Sequence, residues 1–329
     1  MKGFFDDKIK VKSAIDRTVL AAALERLFTG KSLEEIVHYV TNEFEATIDY
    51  FDLSSGKNAC QTTSLLFNPH RLLIETKKKQ TSFYRFMNED PRSFFSGFAR
   101  VLLMRRKEGA TIDGMFKSIL SLGNFNNTQI ALEFPPIVAR NTCIQFGINA
   151  DDKVLDPCAG WGGRMIGIST VSNSYTCFEP STKTYNGLLK LAEFIKKMNP
   201  EFKADVNKLP FEDAKLKKES FDFAITSPPY YDTEYYSDEK TNSLNCYKTF
   251  DDWVNGFYLP LIRNTMRALK PGKIFVLNIG SRIYPLNEIL IDNFGKEFGI
   301  SKVSFLVGKG PGLGKKGEGE VLYGIRKDK

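Results

Sequence analysis

The chain has 329 residues, of which 42% are hydrophobic and 26% charged, and its formal net charge is +7. These values are ordinary for a globular protein of one or two domains with a sizeable core. The mildly basic balance permits a polyanionic partner but does not require one.

The cysteines and histidines give no sign of a disulfide framework or a metal site. The five cysteines are scattered and form no CxxC pair, and the chain has two histidines. Free thiols in a reducing compartment are therefore expected, and no zinc site is expected. The N-terminus has no apolar signal-peptide core, and no stretch reaches the ~18 apolar residues of a membrane span. We expect a soluble cytoplasmic protein.

The first part of the chain, to about residue 125, has a mostly helical pattern. AIDRTVLAAALERLFTG places apolar residues at helical spacing and ends on Gly30, and SLEEIVHYV begins with the capping-box pair Ser32 and Glu35. DPRSFFSGFARVLLMRR and ATIDGMFKSILSLG predict two more helices. We predict a mainly helical accessory domain over residues 1–127, which is a candidate for nucleic-acid binding.

Residues 71–107 within this part are basic, with ten Lys or Arg against three Asp or Glu. Aromatic residues lie among them, namely Phe83, Tyr84, Phe86, Phe94 and Phe95. The combination suits a phosphate track with base stacking. The alternative is a solvated helix face with its aromatic side chains in the core. His38 and His70 are distant in sequence from the motifs below, and we interpret both as structural.

From about residue 150 the pattern changes to strands alternating with helices. Short apolar runs occur in KVLDPC, SYTCFEP, FDFAITSPP and KIFVLNIG, which favours an α/β fold with a doubly wound, mostly parallel sheet. SKVSFLVG and EGEVLYGIRK predict an antiparallel C-terminal hairpin at the sheet edge, joined by the loop KGPGLGKKGEG. The second predicted domain covers residues 128–329.

The first chemical motif is VLDPCAGWGGR, where the first of these strands enters a glycine-rich turn. Gly160 and Gly162 permit positive φ and a close backbone approach to a ligand, although their spacing is not GxGxxG. Asp156 would repel a phosphate and suits a ligand with an amino group. Glu179 follows Gly160 by 19 residues, where a dinucleotide-type fold places its ribose-binding acid. A purely structural turn is the alternative.

Asp213 lies in the loop after a third, short strand that is predicted between SYTCFEP and FDFAITSPP. Its position and type suit an acceptor for an adenine amino group, and the alternative is a solvated surface acid.

The second motif is Ser227-Pro228-Pro229-Tyr230, at the end of the fourth strand counted from Asp156. Two prolines cannot donate to a sheet ladder, so the strand stops there. Its carboxyl end lies on the same rim as the glycine turn, where open α/β sheets bind ligands. Proline carbonyls and the Ser227 hydroxyl can accept both hydrogens of an exocyclic amine, and Tyr230 can stack on the base.

With these motifs, residues 134–329 resemble the class I S-adenosylmethionine-dependent amino-methyltransferases of DNA, which modify cytosine N4 or adenine N6. DPCAGWGGR is similar to the cofactor loop of that family, SPPY to its catalytic motif, and FPPIVAR to the segment over the methionine end of the cofactor. The resemblance implies a Rossmann-like, seven-stranded sheet and S-adenosylmethionine as cofactor. It implies cofactor contacts by Phe134, Pro135, Asp156, Pro157, Cys158, Ala159, Gly160, Gly162, Glu179 and Asp213, and base contacts by Ser227, Pro228, Pro229 and Tyr230.

The implied reaction is direct in-line methyl transfer to an amine of a flipped-out DNA base. A C5-cytosine mechanism is rejected, because it needs a nucleophilic cysteine and none lies at the strand end. Serine in the first catalytic position favours cytosine N4 and leaves adenine N6 open. The alternatives are an RNA base amino-methyltransferase, a non-catalytic S-adenosylmethionine-fold module that binds nucleic acid, and a different modification of a DNA base.

The gap between the two motifs is too short for the target-recognition domain that such enzymes carry. This indicates short or relaxed specificity, or a separate specificity subunit as in restriction–modification systems. The polar segment YYDTEYYSDEKTNSLNCY after SPPY is predicted to cover the active site, with Tyr231, Asp232 and Tyr235 lining the base pocket.

Overall fold

The computed structural model describes residues 17–75, 81–104, 120, 124–125, 128–129, 131–279, 284–302 and 321–327. Its centre is a seven-stranded sheet. The strands are β1 Lys153–Asp156, β2 Ser174–Phe178, β3 Lys203–Asn207, β4 Phe221–Thr226, β5 Leu269–Ile279, β6 Gly299–Lys302 and β7 Val321–Arg326. A two-residue antiparallel pair, Asn124–Phe125 with Thr128–Gln129, lies outside this sheet.

The strand order is β3-β2-β1-β4-β5-β7-β6. Strands β1 to β5 pair in parallel, and β7 runs antiparallel between β5 and β6. This confirms the predicted α/β class with a mostly parallel, seven-stranded, Rossmann-like sheet and an antiparallel C-terminal hairpin. The chain turns in opposite directions from β1 to reach β2 and β4, so the switch point of the sheet lies between β1 and β4.

Burial follows the position of each strand in the sheet. All six residues of β4 are buried, as expected for a central strand covered on both faces by helices. Edge strand β3 has no fully buried residue. The apolar run before SPPY therefore forms a central strand of the sheet. The carboxyl end of this strand lies at the switch point.

Twelve α-helices are described. They are α1 Arg17–Phe28, α2 Leu33–Val40, α3 Glu43–Ser54, α4 Phe83–Glu89, α5 Pro91–Met104, α6 Pro136–Gln145, α7 Gly163–Ile168, α8 Thr182–Met198, α9 Ser243–Cys246, α10 Phe250–Trp253, α11 Leu259–Ala268 and α12 Leu286–Phe294. A π-helical turn over Val254–Tyr258 joins α10 to α11. None of the helices in the described residues is both long and apolar enough to cross a bilayer.

The helix-end signals in the N-terminal part are confirmed. Ser32 accepts a hydrogen bond from the Glu35 amide, and the Glu35 carboxylate accepts from the Ser32 amide, so both halves of the capping box are present. Gly30 has a φ of +78° just after α1. The helix predicted in ATIDGMFKSILSLG lies almost wholly outside the described residues, as does the loop KGPGLGKKGEG.

Helices α1, α2, α4 and α5 share a core of their own, and the aromatic residues of the basic segment contribute to it. Phe83, Phe94 and Phe95 are at most 1% exposed, and Phe94 contacts Phe83 edge to face with ring centroids 5.0 Å apart. These three rings are therefore unavailable for stacking on bases. The expectation of a stacking track is wrong for them, and the core interpretation holds.

Helix α3 packs on the sheet and its helices, whereas the following 3₁₀ turns, Thr63–Leu66 and Pro69–Leu73, place Leu65 and Leu72 in the core of the N-terminal helices. Ala46, Tyr50, Leu53 and Cys60 are buried in the same apolar cluster as residues of β1, β2 and β4. The Tyr50 hydroxyl donates to the Ser169 carbonyl at 3.2 Å. Buried residues between 46 and 60 thus share the core of the sheet, and the proposed domain boundary between residues 127 and 128 stays a prediction.

Candidate active site at the carboxyl rim of the sheet

The glycine-rich turn joins β1 to α7 and is fixed by backbone contacts. The Ala159 amide donates to the Phe178 carbonyl at the end of β2 over 2.9 Å. Gly160 and Gly162 have φ values of +57° and +101°. A Cβ on Gly162 would lie 2.3 Å from Leu191 Cδ2 of α8, whereas one on Gly160 would meet nothing nearer than 3.8 Å. Gly162 therefore serves helix packing, and Gly160 leaves open backbone at the rim.

The Asp156 carboxylate holds this turn in place through hydrogen bonds. It is fully buried, and four groups donate to it: Arg164 Nε and the Tyr175 hydroxyl, both at 2.7 Å, the Thr226 hydroxyl at 2.8 Å and the Cys158 amide at 3.2 Å. These donors come from the turn, α7, β2 and β4, so the carboxylate ties the neighbouring strand ends together. Its predicted direct contact with a ligand amine stays a prediction.

The neighbours of Asp156 in the motif are shielded to different degrees. Pro157 and Ala159 are buried, and Cys158 is half-buried. Burial, reinforced by the charge of Asp156, raises the pKa of the Cys158 thiol well above its ordinary value. The thiol is therefore neutral, which agrees with the rejection of a cysteine nucleophile.

The segment predicted to pack over the cofactor lies against the glycine turn. A Cβ on Gly163 would lie 2.3 Å from the Phe134 carbonyl oxygen, and the Arg164 guanidinium stands 5.2 Å from the centre of the Phe134 ring. Pro135 is exposed just before α6. Phe134 is half-buried beside the turn, and the cofactor contacts expected of Phe134 and Pro135 stay predictions.

Glu179 lies just after β2, on the same rim. Its amide donates to the Asn207 carbonyl at the end of β3 over 3.0 Å, and its carboxylate accepts from the Ser181 amide at 2.8 Å. Burial raises the pKa of Glu179 to about 8, with the negative charges of Glu239 and Asp156 acting in the same direction.

Asp213 ends the 3₁₀ turn Phe211–Asp213 after β3 and is exposed. The preceding residue, Glu212, is half-buried and accepts a hydrogen bond from the Tyr247 hydroxyl at 2.8 Å. Its other oxygen, Oε2, is shielded from solvent and has no hydrogen-bond partner among the described residues. The sequence analysis missed Glu212, and the only available signal was its place beside Asp213.

The SPPY motif begins immediately after β4, as predicted. Ser227 and Tyr230 are half-buried and Pro228 is buried. Asn278 of β5, 4% exposed, donates from Nδ2 to the Ser227 hydroxyl at 3.2 Å, and the Tyr230 hydroxyl donates to the Asn278 carbonyl at 3.4 Å. Asn278 was also missed; the signal was a lone amide at the carboxyl end of the apolar run KIFVLNIG.

The loop after SPPY has other contacts than expected. Tyr231 has a φ of +51° and is 8% exposed; its ring packs on Phe250, Trp253 and Tyr284. It therefore belongs to an aromatic core, and the expectation that it lines a base pocket is wrong. Asp232 accepts a hydrogen bond from the Tyr284 hydroxyl.

Further along this loop, contacts bind it to two other parts of the molecule. The Tyr235 amide donates to the Glu75 carbonyl at 3.0 Å. Glu239 accepts from the Thr182 amide at 2.9 Å and from the Thr182 hydroxyl at 2.7 Å, at the start of α8. The loop thus crosses the rim, in agreement with its predicted position over the site.

His70 lies beside the glycine turn, which the sequence analysis did not foresee. Its Nε2 is 3.0 Å from the Thr184 hydroxyl, and its ring centre is 5.4 Å from that of Trp161. Burial, helped by the positive charge of Lys183, lowers the pKa of His70 to about 4. The imidazole is therefore neutral, and a structural role agrees with the prediction.

The rim thus brings together the ends of five parallel strands: the glycine turn after β1, Glu179 after β2, the 3₁₀ turn after β3, SPPY after β4 and Asn278 in β5. Such a rim can seat a nucleoside-containing ligand against the carboxylate and the open backbone. The role of Ser227, Pro228 and Pro229 as hydrogen-bond acceptors for an amine stays a prediction.

Comparison with known proteins gives a short curated match. No family model matches the chain. The type II beta methyltransferase M.BslI of Bacillus sp. (strain NEB-606) is 33% identical over 82 residues, which are 25% of this chain and 8% of that protein. The matched segment therefore covers only a small fraction of the relative.

Three solved structures resemble this chain at low sequence identity. The tRNA (m1A58) methyltransferase TrmI from Aquifex aeolicus is 15% identical, with 60% of this chain and 70% of that chain covered at a TM-score of 0.41. An rRNA methylase from Streptococcus thermophilus is 10% identical, with coverages of 60% and 99% and a TM-score of 0.39. The 16S rRNA N2 G1207 methyltransferase RsmC from T. thermophilus, solved with AdoMet and guanosine, is 15% identical, with coverages of 60% and 44% and a TM-score of 0.39. The fold assignment rests on the strand order, which is that of a doubly wound, Rossmann-like sheet.

Proposed function

We propose that the protein is an S-adenosylmethionine-dependent methyltransferase that modifies the exocyclic amine of a nucleic-acid base, with DNA as the preferred substrate. One observation carries the proposal: the Ser227 hydroxyl of SPPY is held by Asn278 over 3.2 Å at the carboxyl end of β4, on the same rim as the glycine turn and Glu179. The short likeness to a type II beta methyltransferase supports methyl transfer as the chemistry.

The residues of the rim fit this cofactor. In such a sheet, an acidic residue after the second strand commonly accepts hydrogen bonds from the ribose hydroxyls. Glu179 lies at this position, and one of its carboxylate oxygens accepts a hydrogen bond from the Ser181 amide. Gly160 leaves room for close approach of a ligand, since a Cβ there would meet no atom nearer than 3.8 Å. Asp213 would accept from the adenine amine, with Phe134 and Pro135 at the methionine end. When bound, S-adenosylmethionine supplies an electrophilic methyl group on a positively charged sulfur.

The protein's own residues position the acceptor amine. The Ser227 hydroxyl and the Pro228 carbonyl accept its two hydrogens, which increases lone-pair character on the nitrogen. The Tyr230 ring stacks on the base and holds it in line with the methyl donor. No residue is needed as a covalent nucleophile, and the neutral Cys158 takes no part. A base within a duplex must first leave the stack.

Cytosine N4 is the favoured target and adenine N6 the second, because a serine opens the catalytic motif. The division of the chain into a helical part, residues 1–127, and a catalytic part, residues 128–329, stays part of the proposal. Sequence specificity would then come from the helical part or from a separate subunit. An RNA base amine is the alternative substrate, since the same acceptors serve it.

Methyl transfer from tritiated S-adenosylmethionine to duplex DNA, single-stranded DNA and bulk RNA tests this proposal, with the modified nucleoside identified by mass spectrometry. Tyr230→Ala is expected to lower kcat by about 10²-fold while cofactor affinity stays within about twofold, because it removes the stacking surface and no cofactor contact. The control is Phe44→Ala, which removes an exposed aromatic side chain of α3.

N4-methylcytosine or N6-methyladenine in DNA supports the proposal and identifies the base. Label confined to RNA would favour the alternative substrate. Cofactor binding without transfer to any of the three would contradict the proposed function. Equal loss of cofactor binding and turnover in Tyr230→Ala would assign that residue a structural role.

A further inference from the structure

We propose that Asn278 is a positioning residue that fixes the hydroxyl of Ser227 as an acceptor for the substrate amine. This inference rests on the proposed function and adds a residue that no motif of the sequence singled out. Asn278 lies on β5, next to β4 in the sheet, and its side chain reaches across to the catalytic motif.

The direction of the hydrogen bonds carries the argument. An amide Nδ2 can only donate, so at 3.2 Å it occupies a lone pair of Ser227 Oγ. A backbone carbonyl can only accept, so the Tyr230 hydroxyl uses its hydrogen on the Asn278 carbonyl at 3.4 Å. Because the tyrosine has a single hydrogen, the Ser227 hydroxyl donates to the Tyr230 oxygen, which lies 3.4 Å away and also accepts from Asn278 Nδ2 at 3.5 Å. Within the described part of the chain these are the two partners of Ser227 Oγ.

A hydroxyl has one hydrogen and two lone pairs. With the hydrogen directed to Tyr230 and one lone pair held by Asn278, a single lone pair of Ser227 is left. An approaching amine hydrogen meets this acceptor without first turning the hydroxyl. The arrangement is preorganised, which is the condition for electrostatic stabilisation in the transition state.

The placement of Asn278 explains why this arrangement is stable. The residue is 4% exposed, and a buried amide strongly favours conformations that satisfy its hydrogen bonds. Its backbone belongs to β5, which pairs with β4 in parallel and with β7 on the other side. The Asn278 side chain is therefore carried by a central strand of the sheet, whereas Ser227 and Tyr230 lie in the turn that follows β4.

Two variants test the proposal on the full-length protein. Asn278→Leu keeps the size of the side chain and removes every polar atom, and Asn278→Asp keeps its shape but removes the donor. Both are expected to lower kcat about tenfold or more, since a preorganised hydrogen bond is lost. The KM for the nucleic acid and the affinity for S-adenosylmethionine are expected to stay within about twofold, because neither ligand contacts Asn278. Asn199→Leu and Asn199→Asp are the matched controls, since the Asn199 amide donates to the Ser169 carbonyl at 2.9 Å, at the end of α8.

A double-mutant cycle separates positioning from a structural role. If Asn278 acts through Ser227, adding Asn278→Leu to Ser227→Ala lowers kcat no further. The proposal is overturned if Asn278→Leu lowers kcat by the same factor in the wild-type and the Ser227→Ala backgrounds. It is also overturned if both Asn278 variants keep the wild-type kcat. Loss of cofactor binding in step with kcat overturns it too. Wild-type protein that transfers methyl to no nucleic acid refutes the proposed function itself, which distinguishes the two failures.

Discussion

At the scale of single residues, the ionisation of Glu179 links the candidate cofactor site to pH. Burial raises the pKa of this carboxyl from 4.5 to about 8, so the folded protein favours its protonated form. An ionised Glu179 is the better acceptor for ribose hydroxyls. Ionising Glu179 in the free rim therefore carries a desolvation cost, which a bound nucleoside would offset.

The sign of the pH effect on stability follows from this raised pKa. The contribution of Glu179 to the free energy of unfolding is fully present below pH 4.5 and is lost as the pH rises through about 8. Urea denaturation between pH 5 and about 9 is expected to show this decline in the wild-type protein and a smaller decline in Glu179→Gln. The control is Glu201→Gln, at an exposed position, which should leave the decline intact. An unchanged pH dependence in Glu179→Gln would contradict the assignment.

At the scale of elements, the loop after SPPY is connected to the N-terminus of α8. The Ser181 side chain makes no capping hydrogen bond, and the Glu239 carboxylate from the loop binds the Thr182 amide at 2.9 Å instead. A negative group at this end also interacts favourably with the helix dipole. The loop after SPPY and the helix that follows Glu179 are thus linked by the Glu239 side chain.

Glu239→Ala is expected to loosen both elements at once. It removes the cap of α8 and should lower the free energy of unfolding by about 1 kcal/mol. Amide hydrogen exchange is expected to accelerate at Thr182 and across residues 235–246. Glu193→Ala, a substitution in the body of α8, is the control for loss of one glutamate. Faster exchange at Thr182 with unchanged loop protection would show that Glu239 caps the helix without holding the loop.

At the scale of the whole molecule, the sequence pattern was sufficient for the sheet and for its rim. The apolar runs gave the positions of β1, β2, β4 and β5, because strands buried on both faces have continuous apolar sequence. The motifs then fell on one edge, because the carboxyl ends of parallel strands meet there.

What the sequence did not reveal depends on contacts between distant segments. Asn278 meets Ser227 across 51 residues, Arg71 meets Glu133 across 62, and His70 meets Thr184 across 114. Each is an unremarkable polar residue within its own segment, so no local spacing identifies it. The same applies to Tyr231, whose burial results from packing on residues of α10 and on Tyr284.

At this scale, a buried ion pair also connects the helical N-terminal part with the segment beside the glycine turn. The Arg71 guanidinium lies 2.8 Å from the Glu133 carboxylate, and the two side chains are 2% and 6% exposed. Glu133 immediately precedes the Phe134 segment beside the glycine turn. Removing one partner of a buried pair leaves the other charge uncompensated, which costs about 3–5 kcal/mol.

Arg71→Met is therefore expected to lower the free energy of unfolding by about 3 kcal/mol and to shift a single urea transition of the whole chain to lower concentration. Arg85→Met is the control, because the exposed pairs of Arg85 with Glu75 and Glu89 contribute at most about 1 kcal/mol each. The wild-type chain could instead unfold in two separate transitions, with Arg71→Met shifting only the first. That result would show that the helical part unfolds independently, as the boundary between residues 127 and 128 requires. A single shifted transition would mean that residues 46–60 are a structural part of the sheet domain, because the apolar cluster that they share with the sheet unfolds as one unit.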